Sequence, residues 1–101
     1  MITDDVLLQH KWKRCDGNKW RKNGVIIDVN NDKCRVYLHF IINERRQIYF
    51  SAYHPFENFD SDIHILERDI ARGIMKILFK DEDYKGKVSS RAKRAFYNWI
   101  Q

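Results

Sequence analysis

From residue 25 to residue 53 apolar side chains recur at every second position. After residue 60 they recur at helical spacing, and this change of period constrains the fold more than any other feature. Val25, Ile27 and Val29 alternate first. Cys34, Val36, Leu38, Phe40 and Ile42 then fall on one face of a strand, with Arg35, Tyr37, His39 and Ile41 on the other. Ile48, Phe50 and Ala52 alternate with Tyr49, Ser51 and Tyr53. Asn23-Gly24 is a tight-turn dipeptide, Asn30-Asn31-Asp32 and Asn43-Glu44-Arg45-Arg46 are polar turns, and Pro55, the only proline, ends the run. The pattern predicts an antiparallel meander of three strands, or of four.

Helices flank it. Ile63, Leu66, Ile70, Ile74, Ile77 and Leu78 line one face of a helix over 61–80, with Asp60, Ser61 and Asp62 at its start and Lys76 and Lys80 near its end. Asp81 to Gly86 reads as a loop, and Ser89 or Ser90 caps a last helix. In that helix Ala92, Ala95 or Phe96, Trp99 and Ile100 face inward, while Arg91, Lys93, Arg94 and Asn98 mostly face water. At the other end residues 3–14 read as a short helix. Thr3 is its N-cap, Asp4 and Asp5 sit in the first turn, and Lys11, Lys13 and Arg14 sit in the last. Ile2 and Leu7 would form a hydrophobic staple, and Asp16-Gly17 would stop the helix. The rival reading makes 6–14 a strand that turns back through Asp16-Gly17 and sets Trp12 opposite Trp20. The expected order is α-β-β-β-α-α, an α+β fold with helices packed on one face of an antiparallel sheet.

A chain of 101 residues suits a single domain, and 44% apolar content is enough to fill one core. Charged residues make up 33%, the longest apolar runs are far too short to span a bilayer, and the N-terminus is acidic where an export signal would be basic. With only two cysteines, these features lead us to expect a cytoplasmic protein with no membrane association. The net charge is +5 and unevenly spread. Residues 9–55 hold ten Lys or Arg against four acids, residues 56–84 hold four against eight, and residues 85–101 hold five and no acid. Such basic segments suit phosphates or the acidic face of a protein.

The candidate sites follow from that charge. Lys11, Trp12, Lys13 and Arg14 with Lys19, Trp20, Arg21 and Lys22 interleave cations and aromatics, as nucleic-acid binding requires; alternatively the tryptophans anchor the core and the cations rim it. Arg91, Lys93 and Arg94 stand near a helix start, where cations oppose the dipole, and so invite an anionic partner unless Asp81, Glu82 and Asp83 neutralise them. Arg35, Tyr37 and His39 beside Tyr49, Ser51 and Tyr53 would give a polar sheet face on which Tyr37 and Tyr49 could stack on bases. Ser89 to Ala95, after an α-β-β-β opening, resembles the last helix of a double-stranded-RNA-binding domain. That module runs directly from its third strand into this helix, whereas helix 61–80 intervenes here, so no family is assigned.

His10, Cys15, Cys34 and His39 form a symmetric set. Cys34 and His39 are five apart on a strand and point to opposite faces, so no metal site is expected. His54, Glu57, Asp60, Asp62 and His64 crowd one loop. No phosphate loop, nucleophile elbow or H-E-x-x-H motif accompanies them, and neither a catalytic residue nor a cofactor is assigned. The leading expectation is a non-catalytic nucleic-acid-binding accessory protein. The alternative is a small inhibitor or adaptor, of the phage or mobile-element type, docking on an acidic or nucleic-acid-binding surface of a larger enzyme. A small metal-dependent hydrolase is a minor third.

Overall fold

The computed structural model describes residues 2–30, 33–42, 45–53, 62–80 and 88–101, with residues 33, 38–42 and 45–53 described by their backbone. It is an α+β fold: helix α1 (Asp4–Gln9), strands β1 (Lys13–Asp16), β2 (Lys19–Lys22), β3 (Val25–Asn30), β4 (Lys33–Ile42) and β5 (Arg45–Tyr53), helix α2 (Asp62–Met75) continued by a π-helical turn (Lys76–Lys80), and helix α3 (Ser90–Ile100). The strands form one antiparallel sheet in the order β1-β2-β3-β4-β5. The meander and the two C-terminal helices follow the alternating and helical periods of the sequence. The sheet has more strands than the pattern predicts, because residues 13–22 form a further hairpin at its start.

That hairpin corrects the expected helix over 3–14. Thr3 does cap the helix, its hydroxyl accepting from the Val6 N–H at 3.3 Å. The helix nevertheless ends at Gln9, and Lys11, Lys13 and Arg14 lie beyond it. The end is a Schellman motif: the Lys11 N–H donates to the Leu8 carbonyl at 3.1 Å and the Trp12 N–H to the Leu7 carbonyl at 3.0 Å. Lys11 takes the left-handed position (φ 71°) that glycine usually fills, and Leu7 and Trp12 are both fully buried beside the motif. The rival strand over 6–14 is not formed either, since residues 6–9 are helical; a hairpin does turn at Gly17, but its first strand is Lys13–Asp16 and it sets Trp20 opposite Arg14, not Trp12. Asn23-Gly24 does form the next turn, both residues with positive φ (46° and 79°), as a type I′ hairpin demands.

One hydrophobic core joins the layers. Trp20, Val25, Ile27, Cys34 and Val36 supply its sheet side. Ile2, Leu7 and Trp12, then Ile63, Leu66, Ile70, Ile74, Ile77 and Leu78, then Val88 and Phe96 supply the helical side. The apolar stripe of helix 61–80 is therefore buried as its spacing predicts. Asp60 and Ser61 lie outside the described residues, while Asp62 is the first residue of α2 and is buried. Ser89 caps α3, its Oγ accepting from the Ala92 N–H at 3.2 Å. Phe96 is the fully buried residue of that helix; Ala92, Trp99 and Ile100 pack at the core margin.

Candidate anion-binding face

Cross-strand register sorts the cations into two faces. Trp20 pairs with Ile27, Ile27 with Val36, and all three are buried, so this row faces the helices. The alternate rows face away from them. One such row runs Lys13–Arg21–Ile26–Tyr37 across four strands, roughly 15 Å. The next runs Asp16–Lys19–Asp28–Arg35. Lys13, Lys19, Arg21 and Arg35 are exposed, and Ile26 and Tyr37 are half-buried and outside the core cluster.

The two rows differ electrostatically. Asp16, Lys19, Asp28 and Arg35 alternate in sign from strand to strand, so each neighbour pair attracts. Lys13 and Arg21 stand directly opposite each other with like charge, and the rest of their row, Ile26 and Tyr37, carries none. Like charges so placed disfavour the bare sheet by up to about 1 kcal/mol. Among the described side chains the excess positive charge of this face thus stands at its β1–β2 edge, with the Tyr37 ring two strands away.

The other expected binding residues are placed differently. Trp20 is 3% exposed, so its ring offers no face to a base. Arg14 lies over that ring at 5.1 Å and pairs with Asp4 at 3.4 Å, both charges being open to solvent. Lys11 is exposed at the end of α1. Lys22 turns to the helix side, where its Nζ donates to Glu67 Oε2 at 2.6 Å and sits 5.0 Å from the Trp99 ring and 5.9 Å from that of Trp12. His10 Nδ1 donates to the second oxygen of Glu67 at 2.7 Å, and His64 meets the His10 ring edge-on. Arg91 and Arg94 are exposed and Lys93 is half-buried, but α3 belongs to the helical layer, across the sheet from Lys13, Lys19 and Arg21. The basic stretches therefore do not share one surface.

The aromatic platform is also corrected. Ile42 pairs with Arg45, and this register carries Tyr49 to Leu38, Ser51 to Val36 and Tyr53 to Cys34. Tyr37 pairs with Phe50. Tyr37 and Tyr49 thus occupy alternate rows and not one face. The ring and imidazole of Tyr49 and His39 lie outside the described residues, as do His54, Glu57 and Asp60 of the expected acidic loop. Cys15 is exposed on β1, whereas Cys34 is buried, and its thiol is pushed up to about 12 by burial and then by the charge of Asp28. Among the described residues no group of three or more His, Cys, Asp or Glu side chains is arranged to hold a metal ion, and no helix is long and apolar enough to cross a membrane.

Sequence reasoning passed over Glu67, which organises Lys22 and His10. The signal was present: Glu67 is four residues from Ile63 and three from Ile70, hence on the flank of the buried stripe, where a carboxylate needs partners. Comparison with protein-family models, with curated proteins and with solved structures returned no match. The α+β class and the charged sheet face are what the geometry itself defines.

Proposed function

We propose that the chain is a non-catalytic nucleic-acid-binding domain that takes single strands across the face of its sheet opposite the described helices. The observation that carries this reading is the like-charged pair Lys13–Arg21, exposed and uncompensated in its row, in line with Tyr37. Two phosphates at the β1–β2 edge would relieve the repulsion between these cations. An unpaired base two strands on would reach the Tyr37 ring. A sheet face that carries no helix among the described residues favours unpaired bases over a duplex groove.

The test is fluorescence anisotropy with labelled single-stranded DNA, single-stranded RNA and a duplex of equal length. Single strands should bind more tightly. Contacts from Lys13, Lys19 and Arg21 should give a log–log salt slope of about −2. The double variant Lys13→Ala/Arg21→Ala should flatten that slope by about 1.4 while leaving the fold as stable or slightly more so. Tyr37→Leu should weaken binding at unchanged slope, and Tyr37→Phe should retain it. Binding unaffected by the double variant, or abolished instead by Arg91→Ala/Arg94→Ala, would overturn this assignment.

A further inference from the structure

The helical layer carries a second surface of different chemistry. Among the described residues the large apolar side chains that remain exposed are Leu8, Met75, Phe79 and Tyr97; two of these meet, and a third lies one helical turn away. Phe79 and Tyr97 meet with ring centroids 6.3 Å apart, joining the π-helical turn to α3. Met75 lies one turn before Phe79. They are 48%, 41% and 44% exposed for Phe79, Tyr97 and Met75 respectively, values that a core position would not show. The stripe explains why: Ile74, Ile77 and Leu78 form its buried side, and Met75 and Phe79 fall off it on the outer side.

Among the described residues the charged side chains at helical spacing from this patch are cationic; Asp81, Glu82 and Asp83, which follow in the sequence, lie outside them. Arg72 and Lys76 precede and follow Met75 on the exposed side of α2 and its π turn, and Arg94 is one turn from Tyr97 on α3. The exposed acid of α2, Asp69, is already engaged by Arg68 at 3.6 Å. An aromatic and methionine centre with a charged rim is the anatomy of a protein interface, not of a phosphate site.

We infer that the Met75–Phe79–Tyr97 patch docks an acidic amphipathic helix of a partner protein, its apolar side chains on the two rings and its carboxylates on Arg72, Lys76 and Arg94. Charge complementarity selects this occupant. A second copy of the chain, joined through a two-fold axis, would set the same cations against themselves. The surface lies in the layer opposite the proposed nucleic-acid face, so the domain can hold both partners at once.

The experiment uses the full chain and a designed helical peptide with leucines on one face and glutamates on the other. A counterpart in which every glutamate is lysine serves as control. Isothermal titration should show binding of the acidic peptide and none of the basic one. Phe79→Ser/Tyr97→Ser and, separately, Lys76→Glu/Arg94→Glu should each weaken binding at least about tenfold, with unchanged circular dichroism. Lys13→Ala/Arg21→Ala should leave it unchanged, which separates this result from failure or success of the nucleic-acid reading. Equal binding of both peptides, no binding of either, or a concentration-dependent dimer lost in Phe79→Ser/Tyr97→Ser would each overturn the inference.

Discussion

At the residue scale the largely buried Glu67 decides the fate of two cations. It accepts from Lys22 with one oxygen and from His10 with the other, so α2 holds both the end of α1 and the strand β2. Removing one member of such a group leaves its partners desolvated and unpaired. Glu67→Ala should therefore cost about 1–3 kcal/mol in urea unfolding. Lys22→Met keeps an unbranched apolar side chain beside Trp12 and Trp99, whose rings the Lys22 Nζ approaches, and should cost less. The double variant should fall short of the sum of the two. Full additivity would show that the contacts do not act together. The two cysteines give a second residue-scale test. Cys34 holds its proton until about 12 in the fold, against an ordinary 9.0, so the unfolded chain ionises first. That contribution to stability is complete below pH 9 and fades as pH climbs toward 12. At pH 8 a thiol-reactive disulfide reagent should label Cys15 at once and Cys34 only on unfolding; simultaneous labelling of both would contradict the burial described.

At the element scale the turns carry the register. Gly24 has φ 79°, and a Cβ there would meet Ala95 Cβ and Phe96 Cε1 at 3.2 Å. Gly17 has φ 51° and open space around it. Gly24→Ala should thus cost the left-handed strain of about 1–2 kcal/mol and a clash with α3 besides, whereas Gly17→Ala should cost the strain alone. Thermal melts that ranked Gly17→Ala as the more damaging would contradict the packing of α3 on this turn. The same elements show what the sequence could and could not reveal. The period-two rows of β3 and β4 and the stripe of α2 were legible because burial is one-sided and alternation is unambiguous. The end of α1 was not, because its left-handed C′ residue is Lys11, and the expected stop signal lay six residues further on at Gly17. The face of β5 was misread because Ile48, Phe50 and Ala52 are the more apolar set, yet pairing of Ile42 with Arg45 fixes parity regardless of hydrophobicity. The candidate cations were legible as a group; their division between two faces depends on which residue opens each strand.

At the scale of the whole molecule the sheet divides two chemistries, a cationic β1–β2 edge in line with Tyr37 on one side and an aromatic patch with cationic neighbours among the described residues on the other. If both proposals hold, the chain would connect a nucleic acid to a protein, and mutation would separate the two activities. The fold also bears on how the molecule is made. The Trp99 indole N–H donates to the Asn23 carbonyl at 3.0 Å, and Phe96 closes against Gly24. The turn synthesised early is finished only by residues that arrive more than seventy positions later. Contacts so distant along the chain form slowly. Until they do, the β2–β3 ribbon offers Trp20, Val25 and Ile27 to whatever is nearby, so a nascent chain should need shelter until its final helix swings into place.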